Sequence, residues 1–183
     1  YKDNLFAVSE VYRLWAIQGD EKVASVLSFA KADAGVVIAK DIEIFRELKL
    51  RLLNGTHTLS CGIAFLAVFA SVKDAMDNEA MSAFISNLMR NEIAPAIPYE
   101  ISEKDAADFA DKVLDRFRNP HIRHLWLGIT AQFSAKLKMR VVPVLLNHYK
   151  KSQEVPELIA LGFAAYLLFM KSRKEGNEYF GER

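Results

Sequence analysis

Cysteine is almost absent from the sequence. One thiol, Cys61, occurs in 183 residues, which excludes an intramolecular disulfide and a cysteine-rich metal site. A lone thiol is typical of proteins that stay in a reducing compartment. We therefore expect a cytoplasmic protein.

No charge of one sign dominates, and no apolar run is long. Lys and Arg number 24 against 23 Asp and Glu, a net charge of +1, so the field that would attract nucleic acid is lacking. The longest apolar runs, residues 59–72 and 158–170, are shorter than the roughly 18 residues that a membrane span requires. Both runs predict buried helices, and the sequence predicts neither a nucleic-acid partner nor a membrane partner.

A glycine-rich phosphate loop is also missing. The eight glycines are scattered and none forms G-x-G-x-x-G, so the strand, turn and helix that hold a dinucleotide diphosphate are absent. The chain begins with YKDNLFAV, without a methionine or a signal pattern, and ends at YFGER without an obvious terminating element. We expect a piece of a longer protein.

The residues that are present favour one domain of ordinary size, with 51% hydrophobic residues. Two β-prone runs, YRLWAI and AGVVIAK, flank the polar stretch QGDEKVASVLSFAKAD, a pattern of two strands around a loop or a short helix. From Asp41 onward apolar residues recur at helical spacing and no further strand is expected. The sequence predicts a mainly α fold, with residues 1–40 as a connector of short strands and residues 41–183 as a helical domain.

Start and stop signals divide the helical part. Ser102 is a capping residue and Asn119 precedes Pro120, which fits the first position of a helix. Pro95 breaks a helix, and Pro143 kinks one or starts one. The predicted helices after the first are residues 72–76, 80–94, 102–118, 120–138, 141–150 and 156–174.

Three polar residues interrupt the leucine-rich segment FRELKLRLLNGTHTLSCG, residues 45–62: Lys49, Asn54 and His57. On an α-helix they share one broad side, with Lys49 and Asn54 roughly 140° apart. The pattern fits a solvated face with a capping Asn-Gly as well as a reaction centre. Gly55 would weaken the helix by about 1 kcal/mol relative to Ala unless a close approach compensates, which favours the reaction centre.

Ordered blocks of sequence resemble one enzyme family. KLRLLNGTH (residues 49–57) resembles the Lys, Asn, His signature of the polyol-specific long-chain dehydrogenases, the mannitol dehydrogenase family. DRFRNPHIRHLW (residues 115–126) resembles its R-F-x-N-P-x-I-x-H segment, and FLAVFASVKDAM, EIAPAI and KLKMRVVPVLL occur in the family's order. NGTHT and the late KSRKEGNEYF are most similar to the tagaturonate reductase (altronate oxidoreductase) subfamily. The resemblance covers nearly the whole chain.

This resemblance implies an NAD-dependent, metal-independent alcohol dehydrogenase of two domains. The N-terminal Rossmann domain, which binds most of the NAD, is missing from the chain. What remains would be the helical C-terminal domain, similar to that of 6-phosphogluconate dehydrogenase. By position, Lys49 matches the family's catalytic acid and base, while Asn54 and His57 match the residues that hold the reacting oxygen. We expect the chain alone neither to bind NAD well nor to turn over substrate.

The second block implies a small sugar acid as substrate. Arg116 matches the family's substrate-contacting arginine, and an arginine holds a carboxylate with two parallel hydrogen bonds. Asn119 and His124 are candidate neighbours, and Lys136 and Arg140, four residues apart, would face the same cleft. The structural alternatives are a helix cap for Asn119 and an exposed helical face for Lys136 and Arg140.

Competing hypotheses are a metal site and a binding module. His121 and His124 form H-x-x-H, and His57 precedes Cys61 by four residues, but no carboxylate joins them in a ligand-spaced motif, so we expect no metal. A non-catalytic helical interaction domain would use residues 158–170 as a partner-binding helix.

These hypotheses differ in a testable way. A dehydrogenase requires Lys49, Asn54, His57 and Arg116 to converge on one cleft. An interaction domain predicts that they scatter and that a large apolar patch is exposed. The sequence leaves tagaturonate, fructuronate and mannitol open as substrates.

Overall fold

The computed structural model describes residues 3–5, 7 and 10–181. The expectation of a longer protein rests on the chain ends. Of these ends, residues 1–2 and 182–183 lie outside the described residues. Contacts divide the chain into two compact units, Tyr1–Arg46 and Glu47–Arg183. The division between residues 40 and 41 stays a prediction.

The first unit holds the two predicted strands. Strand β1 (Trp15–Gln18) pairs in parallel with β2 (Val36–Ala39), with Trp15 opposite Val36. Helix α1 (Glu21–Val26) and a 3₁₀ turn (Ser28–Lys31) connect them. The Asp20 carboxylate begins α1 by accepting a hydrogen bond from the Val23 N–H at 3.0 Å. A parallel pair requires such a crossover.

A continuous helical segment follows Asp41, whose carboxylate accepts a hydrogen bond from the Glu43 N–H at 2.8 Å. It begins as α2 (Glu43–Leu48), widens into a π-helix, π1 (Lys49–Gly55), and returns to α-geometry as α3 (Thr56–Leu66). Helix α3 ends before residue 72, the end of the predicted buried helix. Val68 takes a left-handed φ of 65° there, a conformation in which a β-branched residue cannot continue a helix.

The remaining helices belong to the second unit. Ser71 and Asp74 form a reciprocal capping box at the start of α4, and Ser102 caps α6 as predicted. Pro143 lies at the start of its helix, also as predicted. The elements are α4 (Val72–Asp77), α5 (Glu79–Asn87), a second π-helix π2 (Leu88–Ile93), a 3₁₀ turn (Ala94–Ala96), α6 (Glu103–Phe117), α7 (Trp126–Ile129), α8 (Phe133–Arg140), α9 (Val142–His148) and α10 (Glu157–Met170).

The prediction of a helix that begins at Pro120 is wrong. The backbone of this segment pairs with residues 70–72: the Val72 N–H donates to the His124 carbonyl at 2.9 Å, and the Trp126 N–H donates to the Ala70 carbonyl at 3.2 Å. These long-range bonds hold residues 124–125 extended, and α7 begins only at Trp126. The structural alternative for Asn119 is corrected as well. Its side chain accepts from the His121 N–H at 2.9 Å and caps a turn instead of a helix.

The expectation of no strand after Asp41 is also wrong. Strands β3 (Ser172–Glu175) and β4 (Glu178–Gly181) form an antiparallel hairpin, so α10 stops short of residue 174. Gly176, with φ of 63°, is the first residue of the two-residue turn. A two-residue hairpin turn needs a positive φ at this position, which glycine adopts without strain.

Helix α3 is the centre of the second unit and packs against α10. Leu59, Cys61 and Ala64 have no exposed surface. A Cβ added to Gly162 of α10 would lie 2.7 Å from Cδ2 of Leu59, so the two helices approach closely only because glycine is there.

Helix α10 is not buried all round, which corrects the prediction from its apolar sequence. Leu161, Leu167 and Leu168 are half or more exposed, whereas Ile159 and Gly162 on the other side are buried. Among the described residues no helix combines the length and the apolar character that crossing a bilayer demands.

Candidate active site

The segment that carries the three polar candidates is π-helical, which corrects the α-helical geometry assumed from the sequence. A π-helix bonds residue i to residue i+5 and holds more residues in each turn than an α-helix. Lys49 and Asn54, five residues apart, therefore lie on one side of π1 and not roughly 140° apart. A Cβ at Gly55 would meet only ordinary contacts, the nearest 3.7 Å away, so the expected close approach at this glycine is absent.

A buried ion pair anchors π1 to the end of α8. The Arg51 guanidinium donates to both carboxylate oxygens of Glu47, at 2.8 and 3.1 Å, a bidentate arrangement. Its Nη1 also donates to the Met139 carbonyl at 2.6 Å and to the Arg140 carbonyl at 3.1 Å. Because the last carbonyls of a helix lack partners within it, Arg51 satisfies groups that α8 leaves open and fixes π1 beside them.

Four of the predicted site residues line one cleft of about 160 Å³. Asn54 comes from π1, His57 from the first turn of α3, Arg116 from the last turn of α6, and His124 from the extended segment before α7. Apolar side chains complete the wall: Leu53, Val72, Phe117 and Ile122. None of these lining residues is acidic.

His57 is the most enclosed polar side chain of the cleft, 7% exposed. Its imidazole stacks on the Phe117 ring, with centroids 4.1 Å apart and planes 10° apart. The rings of His124 and Trp126 meet it edge-on at 5.0 and 6.0 Å. Burial first, and then the positive charges of His124, Arg140 and Arg116, lower the pKa of His57 to about 3. His57 is therefore neutral at pH 7, and its buried Nε2 has no hydrogen-bond partner among the described residues.

Positive groups surround this neutral imidazole. Arg116 is half-buried in the cleft wall. Partial burial and the nearby Lys136 ammonium lower the pKa of His124. Burial also lowers the pKa of Arg140, although a guanidinium stays charged at neutral pH. The result is an electropositive cleft with the neutral imidazole of His57 as its most buried polar group.

Lys136 and Arg140 do not line the cleft. Neither residue lies on the exposed helical face that the structural alternative predicts. Both are half-buried. The Lys136 ammonium donates to the Ile129 carbonyl at 2.9 Å, and Nη1 of Arg140 donates to Oγ1 of Thr58 at 3.2 Å. Their charges still affect the cleft residues, since Lys136 lowers the pKa of His124 and Arg140 lowers the pKa of His57.

Two further candidates lie outside the cleft wall. Lys49 is exposed and Asn119 is half-buried with its amide oxygen engaged in the turn to His121. The structure thus brings together Asn54, His57 and Arg116, three of the four residues that the dehydrogenase hypothesis requires to converge. The catalytic role of Lys49 and the substrate contact of Asn119 stay predictions.

Phe117 lines the cleft although no sequence motif marks it as a site residue. It follows Phe109 and Val113 at four-residue intervals on the buried face of α6, so its burial was readable from periodicity. Its stacking on His57 was not, because that contact joins residues 60 positions apart. Thr58, which bonds to Arg140, gave no signal at all in the sequence.

The larger cavities of the described residues lie elsewhere. One of about 570 Å³ lies between α6 and residues 94–101 and is lined mainly by alanine, proline and isoleucine, with Arg90, Glu100, Glu103 and Lys151 at its edge. An open one of about 680 Å³ lies beside the start of α10. Neither contains a candidate site residue, so the chemistry of the side chains, and not volume, identifies the 160 Å³ cleft.

No group of three or more His, Cys, Asp or Glu side chains suited to a metal ion occurs within the described part of the chain. Cys61 is buried and its thiol donates to the Thr58 carbonyl at 3.3 Å. Burial raises the pKa of this thiol to about 12, so Cys61 is a thiol and not a thiolate at neutral pH.

The cleft offers polar groups suited to an oxygen atom of a small molecule, whereas the glycine-rich backbone that holds a dinucleotide's phosphates is not among its lining residues. The neutral His57 is suited to a polar oxygen, because its buried Nε2 has no hydrogen-bond partner in the part of the chain that the structure describes. A glycine-rich loop for a diphosphate does not occur in the sequence.

Comparison with known proteins identifies the family. Residues 41–180 match the model of the mannitol dehydrogenase C-terminal domain. The altronate oxidoreductases of Yersinia enterocolitica and Klebsiella pneumoniae are 31% and 34% identical to the chain over 179 residues, 98% of its length. That of Bacillus subtilis is 34% identical over 169 residues. The chain spans 34% to 37% of the length of these relatives.

Solved structures share the fold. The chain superimposes on Pseudomonas fluorescens mannitol 2-dehydrogenase, solved as a ternary complex with NAD and D-mannitol, with a TM-score of 0.67 and 25% identity over 80% of the chain and 29% of that protein. A substrate-free D-sorbitol dehydrogenase gives a TM-score of 0.67 at 23% identity over 81% of the chain and 30% of that protein. The chain therefore belongs to the mannitol dehydrogenase family and has the mainly helical fold of its C-terminal domain.

Proposed function

We propose that the chain is the substrate-binding and catalytic part of an NAD-dependent dehydrogenase that interconverts a keto-uronate, tagaturonate, and its aldonate, altronate. The observation that carries the proposal is the convergence of Asn54, His57, Arg116 and His124 on one electropositive cleft. The altronate oxidoreductases among its relatives support the substrate class. Hydride transfer is the chemistry that NAD supplies when it is bound.

Asn54 and His57 would hold the reacting oxygen. An amide N–H and an imidazole N–H are both hydrogen-bond donors without charge, and His57 is neutral at pH 7 because of its burial. As a carbonyl oxygen becomes an alkoxide, donors already fixed around it stabilise the negative charge without reorganising. Phe117 fixes the plane of the His57 ring by stacking on it.

Lys49 would be the general acid in reduction and the general base in oxidation. It belongs to the same π-helical turn as Asn54, and its ammonium is the right type of group to protonate an alkoxide. In this chain Lys49 is exposed. The proposal therefore requires that the remainder of the enzyme, about two thirds of the length of the relatives, shields Lys49 from water.

Arg116 would bind the carboxylate that distinguishes a sugar acid from a neutral polyol. It lines the cleft beside His57 and His124, and no acidic residue lines the same wall. A guanidinium can bind a carboxylate through two parallel hydrogen bonds. Lys136 and Arg140 add positive charge behind the wall.

Two alternatives follow from other observations. The structural likeness to mannitol 2-dehydrogenase favours a neutral polyol, or fructuronate, as substrate of the same family chemistry. The exposed leucines of α10 are what the non-catalytic interaction domain predicts. Convergence of three of the four key residues favours an enzyme over an interaction domain.

The experiment is a substrate panel on a full-length enzyme that contains this chain. We expect NADH oxidation with the 5-keto uronate tagaturonate to exceed that with the 2-keto sugar fructose by kcat/KM, with fructuronate between them or below. Faster turnover of fructose would support the neutral-polyol alternative and overturn the assignment of Arg116. Absence of turnover with every member of the panel would overturn the enzymatic proposal.

A further inference from the structure

The hydroxyl of Thr58 joins two parts of the candidate site. Thr58 lies in the first turn of α3 and is 1% exposed. Its Oγ1 donates to the Asn54 carbonyl at 2.7 Å and accepts from Nη1 of Arg140 at 3.2 Å. A hydroxyl has one proton to donate. Because that proton points to Asn54, the oxygen lone pairs are directed toward the guanidinium.

Arg140 is held at both ends by this arrangement. Its carbonyl, at the end of α8, accepts from Nη1 of Arg51 at 3.1 Å, and its side chain donates to Thr58. Its Nε is buried and has no hydrogen-bond partner among the described residues. Among the described residues, the Arg140 guanidinium makes one side-chain hydrogen bond, to Thr58, and this bond fixes its position.

The position of this charge matters to the cleft. Arg140 comes from α8 and Arg116 from α6, and the positive charge of each acts on His57. Lys136 of α8 acts on His124 in turn. A fixed guanidinium stabilises negative charge that develops in a water-poor site, whereas one that swings into solvent is screened.

We propose that Thr58 is a positioning residue whose hydroxyl holds the Arg140 guanidinium against the first turn of α3, next in the chain to His57, and ties it to the turn that presents Asn54. The hydrogen-bond geometry stands without any reaction, whereas the effect on turnover rests on the proposed function. Thr58 does not line the cleft, so it acts on substrate only through Arg140 and Asn54.

The first test needs no activity and uses the 183-residue chain. We would record the nitrogen and proton signals of the Arg140 side chain in the wild type and in Thr58→Val, which keeps the shape and removes the hydroxyl. Loss of a hydrogen bond to a charged group should speed exchange of the Arg140 side-chain protons by roughly tenfold or more. Thr58→Ser should restore slow exchange. Unchanged exchange in Thr58→Val would overturn the proposal.

A matched control and a second variant keep the test decisive. Thr130→Val breaks the same kind of hydroxyl bond, from Oγ1 to the Leu127 carbonyl at 2.7 Å, and should leave the Arg140 signals as they are. If Thr58→Val does not fold, Arg140→Gln replaces it. We then expect signal changes at Thr58 and Asn54, and their absence would count against the proposal.

The second test uses the full-length enzyme. Thr58→Val should lower kcat for tagaturonate by roughly tenfold and Thr58→Ser by less than twofold. The double variant Thr58→Val, Arg140→Met should lose less than the product of the two single losses, because both substitutions remove the bond between Thr58 and Arg140. Additive losses would show that Thr58 acts independently of Arg140. An enzyme inactive with every uronate would overturn the proposed function, while the exchange measurement would still decide the role of Thr58.

Discussion

The imidazole of His57 lies face to face with the phenyl ring of Phe117, 4.1 Å between centroids and 10° between planes. One ring comes from the start of α3 and the other from the end of α6. This contact closes one side of the histidine to water and orients its edge. It contributes, with the rings of His124 and Trp126, to the burial that keeps His57 neutral.

Phe117→Ala should destabilise the chain and release His57. Deleting a buried phenylalanine side chain costs about 3–5 kcal/mol of unfolding free energy, which urea denaturation measures. Water reaching the imidazole should also raise the pKa of His57 from about 3 toward 6.5, as followed by the ring signals in NMR. Phe109→Ala, at a buried position of the same helix, is the control: it should destabilise without moving the His57 pKa.

Stability should fall in acid partly because of His57. Its pKa is about 3 in the folded chain against 6.5 when unfolded, so the unfolded state binds the extra proton between these values. Above pH 6.5 His57 is neutral in both states, and the folded chain keeps its full unfolding free energy. As the pH drops toward 3, this free energy falls by up to about 1.4 kcal/mol per pH unit because of His57. His57→Gln should show a shallower loss of unfolding free energy from pH 6 to pH 4 than the wild type.

Lys49→Ala in the full-length enzyme should abolish most turnover. Removal of a general acid typically lowers the rate by about 10²–10⁴-fold, while NADH affinity, measured by fluorescence titration, should stay within twofold. Exogenous primary amines should restore part of the rate if a proton donor is what was lost. Turnover within threefold of the wild type would remove Lys49 from this role.

Arg116→Met should alter substrate choice more than turnover of neutral substrates. Losing a bidentate contact to a carboxylate should raise KM for tagaturonate by roughly 10- to 100-fold, whereas kcat/KM for fructose should change little. Arg116→Lys retains the charge but not the fork and should fall between the two. A proportional loss for both substrates would mean that Arg116 supports the cleft and does not read the carboxylate.

Gly162→Ala should weaken the packing of α10 on α3. The new Cβ would meet Leu59 at 2.7 Å, and overpacking of this kind costs about 1–3 kcal/mol. Gly128 of α7 has no atom within 4 Å of an added Cβ, so Gly128→Ala should be neutral or stabilise by up to about 1 kcal/mol. Urea denaturation of the two variants side by side makes the comparison.

Local signals predicted the fold where the determining contacts are local. Ser102 caps α6 because its hydroxyl reaches a backbone N–H three residues on, a pattern written in adjacent residues. Pro120 misled because the backbone at His124 and Trp126 bonds to residues 70–72, more than 50 positions earlier. The hairpin turn at Gly176 was a readable signal that the helical pattern before it obscured.

The site was predictable by resemblance and not by geometry. The ordered motifs predict Asn54, His57 and Arg116 as site residues, and these three residues line the same cleft. The relative directions of these side chains could not be read from the sequence, because the same residues fit an α-helix and a π-helix. In the structure the wider turn is accompanied by a buried ion pair of Glu47 and Arg51, and Arg51 also bonds to the end of α8. Phe117 and Thr58 act through partners distant in sequence.

The wide turn of π1 also limits how this segment can change in evolution. This turn already holds the one residue by which a π-helical turn exceeds an α-helical turn. A further residue inserted between Lys49 and Asn54 would therefore rotate every later residue of the helix by about 100°. His57 would leave Phe117, and Thr58 would leave Arg140. Insertions should therefore be rare between residues 49 and 58 and common in segments such as residues 149–156, where a change in length turns no helix.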